Sequence, residues 1–377
     1  MEKSFIQSDH LIFTPADVNL SYSPLRNQLK EKTYTLGAFN PGLCRLPNGN
    51  LLMMVRVAEA LTNAVAGDKV HCIRWDRNKG FMKDAWPLAE VDMQDPRKFK
   101  IKGYGFPVYG LTSLSWQLPV ELNKDGTAIQ KIHYDKIIAP QYSSQEYGIE
   151  DARISFLDNR YYMTTCCVSA ERHSTMLSVS EDGLNYRCLG IVLDHQNKDM
   201  LLFEGKINDT YYALTRPLGE CYFASAASSI WHPGASIQLA SSPDLLHWKP
   251  ADTVFLRARR SSLSNVKIGG GTPPILTSKG WLMLYHGVEN KGAAGIYRTF
   301  WALLDKDDPL QILHLADDIS LLEACPALTT AISHQKYLSD IVFTTGIAAQ
   351  QDDFILASGE LDLACRITRI SKQHFSV

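Results

Sequence analysis

The sequence predicts an all-β protein, a five-bladed β-propeller, on three observations. A β-hairpin pattern recurs five times along the chain, helical periodicity is scarce, and no low-complexity linker separates the repeats. A lone hairpin cannot hide its apolar face, whereas radial packing of similar sheets buries every face and leaves only short edges.

The copies follow in order. The first is GLCRLPNGNLLMMVRV after Asn40-Pro41, and the second is ARISFLDNRYYMTTCCVS after Glu150-Asp151. The third is FEGKINDTYYALTRP from Phe203, the fourth PPILTSKGWLMLYHGV from Pro273, and the fifth DIVFTTGIAAQQDDFILASG near the C-terminus. Each turns at residues that accept tight hairpin angles: Pro47-Asn48-Gly49, Asp158-Asn159, Asn208-Asp209, Ser278-Lys279-Gly280 and Gln351-Asp352-Asp353. A second element, Ser-x-Asp-x-x-x-aromatic, occurs in SEDGLNY from Ser180 and in SSPDLLHW from Ser241, and reads as the outer-strand turn of a blade. Residues Val18–Lys32 and Leu310–Leu322 carry no assignment. The simplest organisation is a single domain over residues 1–377 with an N-terminal extension of about 1–35.

With 377 residues, 45% hydrophobic and 21% charged, the chain can bury a large core. A net charge of -2 argues against a nucleic-acid-binding face. The first residues hold no apolar run and cleavage site of a secretory signal, and no stretch approaches 18 apolar residues, so a cytoplasmic protein without a membrane span is expected. Eight scattered cysteines, with no CxxC and no HExxH, read as buried thiols in a reducing compartment, and no metal site is expected.

In a propeller the start of each innermost strand faces the central channel, so polar residues at equivalent points converge. Those points hold Asn40, Glu150-Asp151 with Arg153, Lys206 with Arg216 on the partner strand, His286 and Asp362, while Arg56 closes its hairpin as Arg216 and His286 close theirs. Any one of these cations alone reads as a solvated rim charge. Together, inward-pointing cations repel one another unless an anion binds, so an anionic ligand is predicted. Glu150-Asp151-x-Arg153 also fits a salt-bridged strand start, and because adjacent strand residues alternate, only one of the two acids is expected to face the channel. The run Gly269-Gly270-Gly271-Thr272 lacks the Lys-Ser/Thr of a nucleotide loop and leads into a strand, which favours close backbone approach to a channel ligand.

From NPGLCRLPNGNLLMMVRV at Asn40 through GIEDAR at Gly148, LLFEGKINDTYYALTRP at Leu201, GGGTPPILTSKGWLMLYHGV at Gly269 and YRTFWALLDKDDP at Tyr297, the sequence resembles glycoside hydrolase family 130. That family comprises five-bladed propellers acting on β-mannosides, most of them phosphorylases. The resemblance implies inverting phosphorolysis to α-mannose 1-phosphate and an acceptor sugar, with inorganic phosphate as co-substrate and no other cofactor. It implies Asp151 as the single catalytic acid, acting through the mannosyl 3-hydroxyl. It further implies Arg56, Lys206, Arg216, His286 and Tyr297 as phosphate ligands, and Asn40 and Asp362 beside the mannosyl group, where Arg153 is also assigned to substrate binding. The expected partners are thus a β-mannoside and phosphate, and homo-oligomerisation is left open. Ordinary inverting hydrolysis needs a second carboxylate as base, whereas phosphate is already an anionic nucleophile and needs a cationic cradle. The sequence departs from the family at FEGK, which stands for Phe-Pro-Glu-Lys, and at Thr215-Arg216-Pro217, which stands for His-Arg-Pro. The first departure makes Glu204 a candidate base, so a β-mannosidase is the alternative enzyme and a non-catalytic sugar- or anion-binding propeller the alternative outside catalysis. Loops Lys102–Gln117 and Cys221–His232 are expected to shape the acceptor side.

Overall fold

Each of the five hairpins opens a sheet in the computed structural model, which describes residues 5–193, 195–219, 226–292 and 294–376. The first sheet runs Thr33–Arg45, Leu51–Leu61, Ser113–Leu122, Ile129–Ile132, and the second Ile149–Leu157, Arg160–Val168, His173–Ser180, Arg187–Ile191. The third runs Asn197–Ile207, Thr210–Pro217, Ile237–Ser242, Lys249–Leu256. In the fourth, two short strands, Lys267–Gly270 and Ile275–Thr277, share the edge of Gly280–Glu289, followed by Ile296–Leu304 and Ile312–Ala316. The fifth runs Val342–Gln350, Asp353–Glu360, Ala364–Ser371, and its outer strand is Ile6–Phe13 from the other end of the chain. All pairings between these strands are antiparallel, and the described residues contain no α-helix.

Local chemistry explains the turns. Asp158-Asn159 and Asn208-Asp209 have φ of 47°, 58°, 49° and 61°, the paired positive values that a two-residue hairpin turn requires. The Ser-x-Asp elements join third to fourth strands. Asp182 Oδ1 accepts from the amides of Leu184 and Asn185, and Asp244 Oδ1 accepts from those of Leu246 and His247.

The sheets are held together by packing between faces. Leu52 and Met54 of the first share a cluster with Ala152 and Ile154 of the second, and Leu157 and Leu177 of the second with Met200 and Leu202 of the third. Leu201 and Phe203 meet Trp281 and Met283, Leu282 and Leu284 meet Val342 and Ile347, and Ile355 and Ile367 of the fifth sheet return to Leu43 and Leu51 of the first. The succession of buried faces therefore ends where it began, although no single sheet closes on itself.

Two features were not visible in the sequence. Part of the expected N-terminal extension, Ile6–Phe13, belongs to the last sheet. Between the second and third strands of the first sheet, the chain also builds two three-stranded sheets, within residues 65–87 and 91–111.

Candidate active site

The first strand of four sheets breaks register, at Phe39/Gly42, Glu150/Arg153, Lys198/Leu201 and Thr344/Gly346. In three of these bulges one residue takes a left-handed backbone: Asn40 (φ 48°), Asp151 (φ 48°) and Asp199 (φ 57°). Asn and Asp tolerate that region better than most side chains, and a bulge re-aims the residue it displaces.

The bulge corrects the expectation that only one of Glu150 and Asp151 faces the channel. Strand alternation fails there, and both carboxylates reach Arg56: Nη1 donates to Asp151 Oδ1 at 2.9 Å and Nη2 to Glu150 Oε1 at 2.8 Å. Lys198 Nζ donates to the other Glu150 oxygen at 2.8 Å, so Glu150 is engaged on both sides. Asn40 Nδ2 donates to Asp151 Oδ1 at 2.9 Å. Asp151 Oδ2 has no protein hydrogen-bond partner among the described residues.

Burial opposes every charge here, and the partners decide the outcome. For Glu150, Arg56 and then Lys198 outweigh burial and lower the pKa; for Asp151, Arg56 outweighs burial and the push of Glu150. Asp362 goes the other way: burial raises its pKa, and Arg56 and Arg97 only partly offset this.

Beside this group stands a second. Asp199 Oδ2 accepts from Arg216 Nε at 2.6 Å and lies 4.0 Å from His286 Nε2, while Asp199 Oδ1 is 3.6 Å from Arg153 Nη2. Burial lowers the His286 pKa to about 3 against the pull of Asp199, so this ring is neutral and not one of the expected cations. Its Nδ1 lies 3.3 Å from the carbonyl of Gly270, and the ring stacks on Tyr297 at a centroid distance of 6.0 Å. Lys267 Nζ lies 5.2 Å from the Tyr297 ring. Arg56, Arg216 and His286 do occupy equivalent points, opposite Phe39, Lys198 and Gly269 on their neighbouring strands.

Two residues read from the sequence, Lys206 and Glu204, lie elsewhere, and a third, Arg153, lies behind the acid. Lys206 is near the turn end of its strand, its side chain 40% exposed and 4.6 Å from the Tyr211 ring, well away from the bulge at Asp199. The strand begins at Asn197, ahead of Phe203, and Lys198 stands opposite Arg216 where Lys206 was expected. Arg153 is only 1% exposed and donates to the carbonyls of Gly271 and Asp151, so it clamps the bulge from behind. Glu204, whose pKa burial raises to about 7, accepts from the Phe156 amide and sits roughly 16 Å along the strand from Asp199. Asp362 stays with the group, 4.0 Å from Arg97 Nη1. Arg97 comes from the turn of the small sheet Val91–Asp95, Lys98–Ile101, Val108–Leu111 and is gripped by Asp95 at 3.0 Å. Sequence reading missed Arg97, Lys198, Asp199 and Lys267. For Lys198 and Asp199 a signal existed, since NKD precedes MLLFE as IED precedes ARISF. Of the loop Cys221–His232, residues 221–225 lie outside the described residues. Among the described residues no group of three or more His, Cys, Asp or Glu could hold a metal ion, and no helix is long and apolar enough to cross a membrane.

Comparison with known proteins places this geometry in a family. The glycoside hydrolase family 130 model, described as beta-1,4-mannooligosaccharide phosphorylase, matches residues 89–372. A beta-1,2-mannobiose phosphorylase of Listeria innocua is 30% identical over 93% of this chain and 91% of its own. A beta-1,4-mannooligosaccharide phosphorylase of Ruminococcus albus is 31% identical over 52% of this chain and 57% of its own. The solved structure of the Listeria innocua enzyme with beta-1,2-mannobiose superposes with a TM-score of 0.80, at 27% identity and 98% coverage of both chains.

Proposed function

Since the chain belongs to glycoside hydrolase family 130, we propose that it is an inverting β-mannoside phosphorylase, a single five-bladed propeller whose blades are the five sheets. The circular succession of buried interfaces supports the propeller reading. The observation that carries the function is the contrast among the acids. Asp151 leaves one oxygen for a ligand, while Glu150 and Asp199 are neutralised by Arg56, Lys198 and Arg216. Such a site offers Asp151 as its acid, sets Asp362 apart beside Arg97, and places cations and a neutral imidazole at its edge. That suits phosphate as nucleophile better than water.

In this reading Asn40 and Asp362 hold the mannosyl unit, and Arg153 fixes the Asp151 backbone. Protonated Asp151 passes its proton through the mannosyl 3-hydroxyl to the glycosidic oxygen. The C1–oxygen bond breaks, the acceptor leaves with that proton on its hydroxyl, and a phosphate oxygen bonds C1 from the opposite face with inversion. Arg56, Arg216, His286 and Tyr297 receive the phosphate, with Lys198 and Lys267 as further donors. His286, with Nδ1 turned to the Gly270 carbonyl, offers Nε2 as an acceptor for a phosphate hydroxyl. Arg56 keeps Asp151 ionised before substrates bind. Once Arg56 turns its charge to phosphate, the Asp151 pKa rises toward that of a usable acid. The buried thiols fit a reducing cytoplasm.

The substrates named for the relatives, β-1,2-mannobiose and β-1,4-manno-oligosaccharides, are the ones to test. Purified protein is incubated with each, with and without phosphate. Mannose 1-phosphate appearing only with phosphate is the expected result; free mannose released without phosphate would instead identify a β-mannosidase.

A further inference from the structure

Asp199 occupies the same kind of left-handed bulge as Asn40 and Asp151, one sheet further on, yet the mechanism above gives it no step. Its side chain is 2% exposed. Two groups of the phosphate side face it, Arg216 Nε at 2.6 Å and His286 Nε2 at 4.0 Å, and Arg153, which fixes the Asp151 backbone, brings Nη2 to 3.6 Å. Arg153 Nη2 is itself buried with no hydrogen-bond partner, so Asp199 is the nearest anion to a guanidinium nitrogen that otherwise has none. Arg216 is bonded through Nε alone; its terminal nitrogens have no partner among the described residues, which leaves them for a ligand.

The packing is built for this arrangement. A methyl group added to Gly269 would strike His286 Cε1 and come within 2.6 Å of Asp199 Oδ2 and 2.7 Å of Arg216 Nε. Only a residue without a side chain lets the imidazole, carboxylate and guanidinium meet against that strand. Asp199 also lines the small cavity shared with Asp151, Arg153, Thr165 and Thr175, so it sits behind the acid as well as behind the phosphate ligands.

We propose that Asp199 is the positioning residue for the nucleophile: its carboxylate holds Arg216 by Nε, keeps the buried Arg153 compensated, and thereby sets the orientation in which phosphate, and not the mannoside, is received. The proposal rests on the phosphorylase reading. A charge-assisted hydrogen bond is about twice as strong as a neutral one, so losing the charge without the shape should loosen Arg216 without emptying the site.

Asp199→Asn tests it, because Asn keeps the volume, one acceptor oxygen and the tolerance for positive φ. With the full chain, initial rates are measured while phosphate and β-1,2-mannobiose are varied separately, and phosphate binding is read independently from the phosphate-induced rise in melting temperature. The expected result is a KM for phosphate raised about tenfold, a KM for the mannoside changed less than about twofold, and a smaller phosphate-induced melting shift. An unchanged or lower KM for phosphate would overturn the proposal. So would equal increases in both KM values, the signature of a general structural role. If the wild-type protein turns over without phosphate, the phosphorylase reading itself fails. A phosphate-dependent wild type with an unaffected variant sinks only the role of Asp199.

Discussion

Glu150 and Asp151 share one guanidinium but do different work, and substitutions separate them. Asp151→Asn is isosteric and removes the proton to be transferred, so kcat should fall by about 10²–10⁴-fold with the melting temperature little changed. Glu150→Gln leaves Arg56 and Lys198 without the carboxylate that both engage. It should destabilise the fold by about 2–3 kcal/mol, the range for a broken buried pair discounted for the partial exposure of Lys198. The loss should also depend on pH. The pKa of Glu150 in the folded protein lies below its ordinary value of 4.5, so its contribution is full above that value and is lost as pH falls below it. The gap in melting temperature between wild type and Glu150→Gln should therefore be full at pH 7 and close as pH drops below about 4.5. A constant gap down to pH 3 would show that Glu150 is not held ionised by these two cations. Protonation of His286 bears on both proteins alike, since burial depresses it to about 3 in the fold.

At the scale of the strand, the hairpins were legible because their turns and apolar runs are local signals. The bulges were not, because a register shift leaves no composition of its own. Arg56, Arg216 and His286 could be aligned since each follows an apolar run of its second strand at the same distance from its turn. Lys206 was misplaced for the complementary reason. The third first strand, Asn197–Ile207, is 11 residues long, and FEGK covers only its turn end. The notion that one acid must face away assumed unbroken alternation, which Asp151 breaks. Gly269 shows the same dependence on element geometry. Gly269→Ala forces its methyl against His286, Asp199 and Arg216. Overpacking of this kind costs about 1–3 kcal/mol, and because the clash is with phosphate-side groups, the KM for phosphate should rise more than the KM for mannoside. Loss of stability with phosphate kinetics intact would mean that the strand yields and the site does not.

For the molecule as a whole, the fifth sheet is completed by a segment the sequence did not reveal as a strand. IQSDHLIF is mixed in polarity and only its last residue is fully buried, so no period separates it from an extension. Yet it supplies the outer strand of the fifth sheet and carries Asp9, which takes Arg366 in a bidentate pair at 2.7 and 2.6 Å and accepts from Thr368 at 2.9 Å. The Arg366 side chain is 3% exposed, and its third nitrogen donates to Glu360 at 3.0 Å. Removing residues 1–13 would leave that guanidinium half-compensated, uncover the edge of Ala364–Ser371 and take Phe13 out of the cluster between the fifth and first sheets. The cost should reach at least about 3 kcal/mol, with a tendency to associate through the bared edge. Asp9→Asn, which keeps the strand and loses only the charge, should cost less. Because the proposed site draws on residues from every sheet, activity of the trimmed protein should disappear at the temperature at which its sheets separate, several degrees below wild type. A trimmed chain that melts with the wild type would mean that the ring of packed faces holds without its N-terminal strand.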